Sequence, residues 1–222
     1  MPLFKSISVL LLIWCNIAVA AMDVDISKWK KLGLGNVGIA DDNTFTLSVP
    51  ELANSKGLIF LSDQMLPDSY RVSFEFQTSN GDGVLVMLLA LSGVTGDAVT
   101  VPENYDGNWA HFRDGVDHQA YAIALHTHAH QPNTFIRKIP GFDLLAQTHD
   151  PFETSGSTIW NSLVIEKNGK NISLIQNNQQ LLLEVNDFDG SPLGEGYLGF
   201  RLSPAQNQPF EVEYRNLQIE AL

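Results

Sequence analysis

Residues Val164–Val185 read VIEKNGKNISLIQNNQQLLLEV. Three short β-rich runs are separated by Asn168-Gly169 and Asn177-Asn178, pairs suited to tight hairpin turns. The stretch predicts a meander of strands over Trp160–Lys167, Asn171–Ile175 and Leu181–Val185. Upstream, Tyr70–Gln77 alternates, with Tyr70, Val72, Phe74 and Phe76 on one face and Arg71, Ser73, Glu75 and Gln77 on the other. Gly83–Leu91 is apolar on both faces and reads as a central strand. Downstream, Tyr197–Leu202 and Glu211–Ile219 close the chain. Helix signals are scarce, and turn residues punctuate the sequence from end to end. The expected fold is all-β, two antiparallel sheets stacked in one domain. Ser92–Gln119 lacks alternation and is rich in polar and aromatic residues. A connection of that length in a compact domain is usually functional.

Residues 1–20 read as a leader. Lys5 gives a short positive start, Val9–Val19 is mostly apolar, and Ala18-Val19-Ala20 has the pattern of a cleavage site. The apolar run is short for a membrane span. The expectation is a bacterial periplasmic or secreted protein, free of the membrane after cleavage, with one domain over 21–222. The only cysteine, Cys15, lies in the leader, so no disulfide is expected. A domain of about 200 residues buries enough apolar surface without one. A formal net charge of −12 argues against nucleic acid and anionic membranes as partners.

Tyr121–His130 reads YAIALHTHAH. As a strand it places Tyr121, Ile123 and Leu125 on one face, and Ala122, Ala124, His126, His128 and His130 on the other. Small residues leave room for a ligand, and imidazoles supply acids, bases or metal ligands near neutral pH. All six histidines lie between His111 and His149, together with Arg113, Arg137 and Lys138. An acidic chain thus gathers all its histidines, with three of its thirteen Lys and Arg residues, in one window, which suits a local site for an anionic ligand.

The late hairpins, the ending GYLGFR at Gly196–Arg201 and the run VEYRNL at Val212–Leu217 look like those of concanavalin A-like jelly rolls, β-sandwiches in which one sheet is concave and holds carbohydrate. Over Asn133–Ile219, the runs NTFIRKIPGFDLLAQTHDPF, NDFDG, GEGYLGFRL and VEYRNLQI resemble the YesU-like family of uncharacterised jelly-roll proteins. That resemblance implies the sandwich fold and a pectin- or rhamnogalacturonan-type substrate. The upstream half departs from the family pattern, with Phe112-Arg113-Asp114-Gly115 and the histidine strand.

Glycoside hydrolysis needs two carboxylates across the scissile bond. No Glu-x-Asp-x-x-Glu run is present, and Glu211 and Glu213 sit on a terminal strand. β-Elimination on a uronate polymer instead needs a cation for the carboxylate, a base, and an acid for the leaving oxygen. The residues of the cluster match that list. His126 or His128 is expected to move the proton and Arg137 to bind the carboxylate. Tyr105, Trp109, His111, Arg113, His118, His130 and Lys138 are expected to bind substrate. The chain therefore reads as a polysaccharide lyase. A glycoside hydrolase of plant or algal cell-wall polysaccharide, with or without a metal, and a non-catalytic carbohydrate-binding module are the alternatives. No cofactor is required by this reading. His-x-His pairs admit Zn²⁺ at the histidine cluster, and Asn80–Gly83 and Asn186–Gly190 admit a structural Ca²⁺ or plain turns. No Gly-x-Ser-x-Gly elbow supports serine catalysis.

Overall fold

The computed structural model describes residues 20–41, 43–51, 56–80, 82–126, 133–149, 152, 159–176, 180–188, 191–205 and 208–222. The strands are β1 (Ala20–Ala21), β2 (Lys30–Gly33), β3 (Asn36–Asp41), β4 (Thr44–Val49), β5 (Leu58–Leu61), β6 (Ser69–Asn80), β7 (Gly83–Gly93), β8 (His118–His126), β9 (Asn133–Ile139), β10 (Asp143–His149), β11 (Asn161–Asn168), β12 (Asn171–Gln176), β13 (Gln180–Asn186), β14 (Tyr197–Pro204) and β15 (Phe210–Ala221). A 3₁₀ turn at Ile26–Lys28 and one helical turn, α1 (Ala110–Arg113), complete the elements.

Two antiparallel sheets form, as the alternation predicts. The first runs β13-β12-β11-β6-β15-β4-β3, with β1 added against the end of β15. The second runs β10-β9-β8-β7-β14-β5-β2. The last two strands are inserted between earlier ones, β14 between β7 and β5 and β15 between β6 and β4. The predicted meander is β11-β12-β13, and Asn168 and Asn171 pair across its first turn. The second turn, at 177–179, and the leader at 1–19 lie outside the described residues.

The sheets meet over an aromatic core. Phe45 stacks on Tyr214 at 4.6 Å, and Phe74 and Phe200 meet edge to face at 5.2 Å. Offset and edge contacts of this kind suit the quadrupoles of the rings. The second sheet is unusual in being apolar on its outer face too. Ile59, Val86, Leu88, Leu91, Ala120, Ala122 and Ile139 form a second buried cluster there, capped by Phe112 of α1. The cap is the connection over 94–117, which folds back across the sheet instead of projecting from it.

Backbone contacts hold that connection down. At its base Val94 donates to Asp117 O (3.1 Å) and Gly93 to Asp97 O (2.9 Å). At its far end Gly107 lies on the backbone of Gly57. A Cβ at Gly107 would stand 1.7 Å from Gly57 O, and Gly107 has φ +79°, so only glycine fits. Gly107→Ala is expected to cost about 2–3 kcal/mol, a fall in Tm of about 4–12 °C. Calorimetry checks this, and an unchanged Tm would show that the connection is not pinned here.

Candidate functional site

Strand alternation on β8, β9 and β14 decides what reaches the outer face of the second sheet. Tyr121, Ile123, Leu125, Ile136, Leu198 and Phe200 point into the main core. Their neighbours point outward and form two adjacent rows across the sheet. One row is Arg137, Ala122, Leu88 and Gly199, and the other is Phe135, Ala124, Val86 and Arg201. Ala122, Leu88, Gly199, Ala124 and Val86 thus form a floor, buried in part under the connection, between two arginines that stand three strands apart, roughly 15 Å by the spacing of strands.

Each arginine meets an aromatic ring. The Arg201 guanidinium lies 4.8 Å from the centroid of Trp109, and the residue is 3% exposed. Burial lowers its pKa to about 10, partly offset by Tyr105, so it stays cationic at neutral pH. Arg137 is half-buried, with its guanidinium 4.4 Å from the Phe142 ring and Nη1 donating to Phe142 O at 2.9 Å. Among the described residues, no carboxylate lies within ion-pair distance of Arg137. Trp109 and Phe142 meet edge to face at 6.5 Å, so the two arginine–aromatic pairs form one continuous surface.

The connection brings most of the expected binding residues to this surface. Tyr105, His111 and Phe112 pack as one group, with the Tyr105 ring 5.5 Å from His111 and 5.8 Å from Phe112. Burial pushes the Tyr105 phenol up to about 12. It is therefore protonated at neutral pH, and it donates to Asn108 O. Arg113 forks onto Asp114 at 2.6 and 2.5 Å and lies 6.0 Å from Phe142.

Several expectations need correction or lie out of view. Lys138 does not join Arg137. Successive strand residues point to opposite faces, so its ammonium turns inward to Asp187 Oδ2 (2.5 Å) and Ser191 O (2.8 Å). Asp187 also accepts from the Tyr121 hydroxyl at 2.7 Å. The turn offered as a calcium site thus has this carboxylate already neutralised, while Asp189 and Gly190 lie outside the described residues. His118 is 2% exposed, under the connection and away from any open surface. The side chain of His126, and all of His128 and His130, lie outside the described residues. Among the described residues, no group of three or more His, Cys, Asp or Glu side chains gathers as a metal site would require.

His118 makes the cover sensitive to protons. Its ring centroid lies 5.2 Å from His111 and 4.9 Å from Phe112, and its Nδ1 and His111 Nε2 are buried without hydrogen-bond partners. Burial first, and then His111, hold its pKa below the ordinary 6.5, against a Thr100 backbone hydrogen bond and the carboxylates of Asp117 and Asp97. The detached connection therefore takes up a proton more readily than the closed one. Closure is fully supported above pH 6.5 and weakens as pH falls below it, levelling off once the depressed value is passed. Amide exchange over 94–117, corrected for intrinsic rates, is expected to accelerate between about pH 7.5 and about pH 5. His118→Gln should remove the effect. Equal acceleration in β11 would show that the cover is not the sensitive element.

Sequence reading missed Arg201 and Phe142. Arg201 carried a signal, as the lone charge in the apolar run Tyr197–Leu202. Phe142 carried none, since its role depends on a backbone carbonyl in a turn.

The family described as "Domain of unknown function (DUF1961)" matches residues 12–219. None of the curated proteins compared matches the chain. Among solved structures, the chain is similar to a protein of unknown function with a galectin-like fold from Bacillus subtilis. The TM-score is 0.75 at 20% identity, covering 88% of this chain and 90% of that one. It is also similar to the carbohydrate binding module CBM66 from Bacillus subtilis, with TM-score 0.56 and 12% identity over 87% of this chain and 96% of that one. A β-glucanase from Bacillus licheniformis aligns with TM-score 0.57 and 11% identity over 92% of this chain and 98% of that one. At these identities the likeness establishes the fold, a jelly-roll sandwich.

Proposed function

The chain belongs to the DUF1961 family, and we propose that it is a polysaccharide lyase, exported to the periplasm or beyond, that cleaves a uronate-containing polymer on the outer face of the second sheet. The observation that carries this reading is Arg137. A guanidinium in an acidic protein is ordinarily met by a carboxylate, yet among the described residues this one meets none and is held by a carbonyl and the rings of Phe142 and Phe135 beside Ala122 and Ala124. Such a group is suited to a carboxylate brought by a ligand. Sugar as the ligand is supported by similar folds described as a carbohydrate binding module and a β-glucanase. The likeness of Asn133–Ile219 to YesU-like proteins supports a pectin- or rhamnogalacturonan-type chain.

In β-elimination a base removes the proton beside the carboxylate, the glycosidic oxygen leaves with a proton, and a carbon–carbon double bond remains in the product. Arg137 would stabilise the charge that builds on the carboxylate as the proton departs. We assign the proton transfer to His126, the last residue of β8, or to His128, two residues on in the sequence. Tyr105, protonated and bonded to Asn108 O, is left as a wall of the site.

A panel of uronate polymers, with and without chelator, tests the reading. A rise in ultraviolet absorbance is the expected result. New reducing ends without that rise would make the protein a hydrolase, and affinity without products would make it a binding module. Loss of activity with chelator would add a metal at the histidines.

A further inference from the structure

We propose that Phe142 is the positioning residue for Arg137, presenting one edge of its guanidinium to a planar carboxylate. This rests on the assignment of Arg137 to the substrate. Phe142 has φ +57°, a left-handed conformation uncommon for a residue of its bulk, and it follows Gly141 at φ +96°. That backbone geometry brings two parts of one residue onto one side chain. The carbonyl accepts from Arg137 Nη1 at 2.9 Å, and the ring lies against the guanidinium at 4.4 Å. A positive φ outside glycine persists where the surroundings hold it, and such outliers concentrate at functional sites.

Tying Nη1 to a carbonyl leaves the opposite edge, Nε and Nη2, for a ligand. That edge offers two parallel N–H groups, the geometry a carboxylate accepts bidentately. The ring fixes the plane and the carbonyl fixes the rotation. Phe142 also touches Trp109 at 6.5 Å and faces Arg113 at 6.0 Å. The plane of Arg137 is thereby set against the same aromatic surface that lines the floor, so carboxylate and sugar ring would be read in one fixed relation.

Two readouts test the proposal. The first needs no ligand. In the intact protein the Arg137 Nε–H proton is expected to resonate upfield of exposed arginines because of the Phe142 ring. The shift should shrink in Phe142→Leu to the part that the Phe135 ring, 5.3 Å from the guanidinium, contributes, and persist in full in Phe142→Tyr. The second is affinity for a trigalacturonate probe, which should fall about tenfold in Phe142→Leu, recover in Phe142→Tyr, and fall further in Arg137→Ala. Thermal melting accompanies each variant, and Phe142→Gly, which relieves the positive φ, should bind weakly without losing stability. An unshifted Arg137 proton in the parent, or a shift undiminished in Phe142→Leu, overturns the proposal. So does unchanged affinity in Phe142→Leu while Arg137→Ala loses it. If Arg137→Ala binds like the parent, the carboxylate assignment falls and the proposal falls with it, while the proton shift still reports where the guanidinium sits.

Discussion

Arg137→Ala should abolish most turnover of a uronate polymer while leaving the sandwich folded. Removing one partner of a desolvated charge pair typically costs about 2–5 kcal/mol, a loss of about thirtyfold to several thousandfold. The defect should be specific to charge. On a methyl-esterified polymer, parent and variant should be similarly poor, because the ester presents no anion to the guanidinium. Arg137→Lys should recover only part of the activity, since a point charge lacks the two-pronged edge. Initial rates of absorbance increase on the two polymers check this. A variant within about threefold of the parent on the free acid would remove Arg137 from the site. The fold has little stake in the change, because the side chain is half-buried and, among the described residues, hydrogen-bonds only to a turn carbonyl.

The second large effect is on stability. Asp187→Ala should destabilise the protein by about 3–5 kcal/mol, the usual consequence of stripping a buried ion pair of one partner. Lys138 Nζ would keep only Ser191 O, and the Tyr121 hydroxyl would lose its acceptor while still accepting from Leu193 N. The Asp187 side chain is 1% exposed, so water offers little replacement. A fall in Tm of about 6–20 °C is expected. The double variant Asp187→Leu with Lys138→Met should recover much of the loss, because an apolar pair leaves no orphaned charge. A single variant that melts like the parent would mean the network contributes nothing to the fold.

The contrast between Arg137 and Lys138 shows how the sequence is best read. Side by side in the chain they looked like one cationic patch, yet the period of two that identifies a strand also forbids adjacent residues from sharing a face. Applied to that pair, the rule would have sent Lys138 inward. The same period made β6, β11 and β12 legible, because one of their faces is polar and the other buried. It was silent for β5 and β7, whose residues are buried on both sides, and β7 was legible only as a continuous apolar run. The short edge strands β2 and β3 carry little apolar signal at all. The connection over 94–117 stands out in the sequence by its length and composition, and it does bring Tyr105, Trp109, His111 and Arg113 together. Its path back across the sheet was not legible, since it depends on Gly107 meeting Gly57, a contact between residues far apart in the chain. The burial of His118 follows from that path.

The insertion of β14 and β15 has a consequence for how the chain comes to be folded. During synthesis the earlier strands emerge first, but each sheet then lacks a middle member. β7 waits for β14 to reach β5, and β6 waits for β15 to reach β4. Neither half-sheet can close until β14 and β15 have left the ribosome, and pairings between distant segments form slowly. The nascent chain therefore spends its synthesis as an open set of strands with uncovered edges, the condition in which chaperones are most needed. A chain cut short before β15 would lack a central stave of the sandwich.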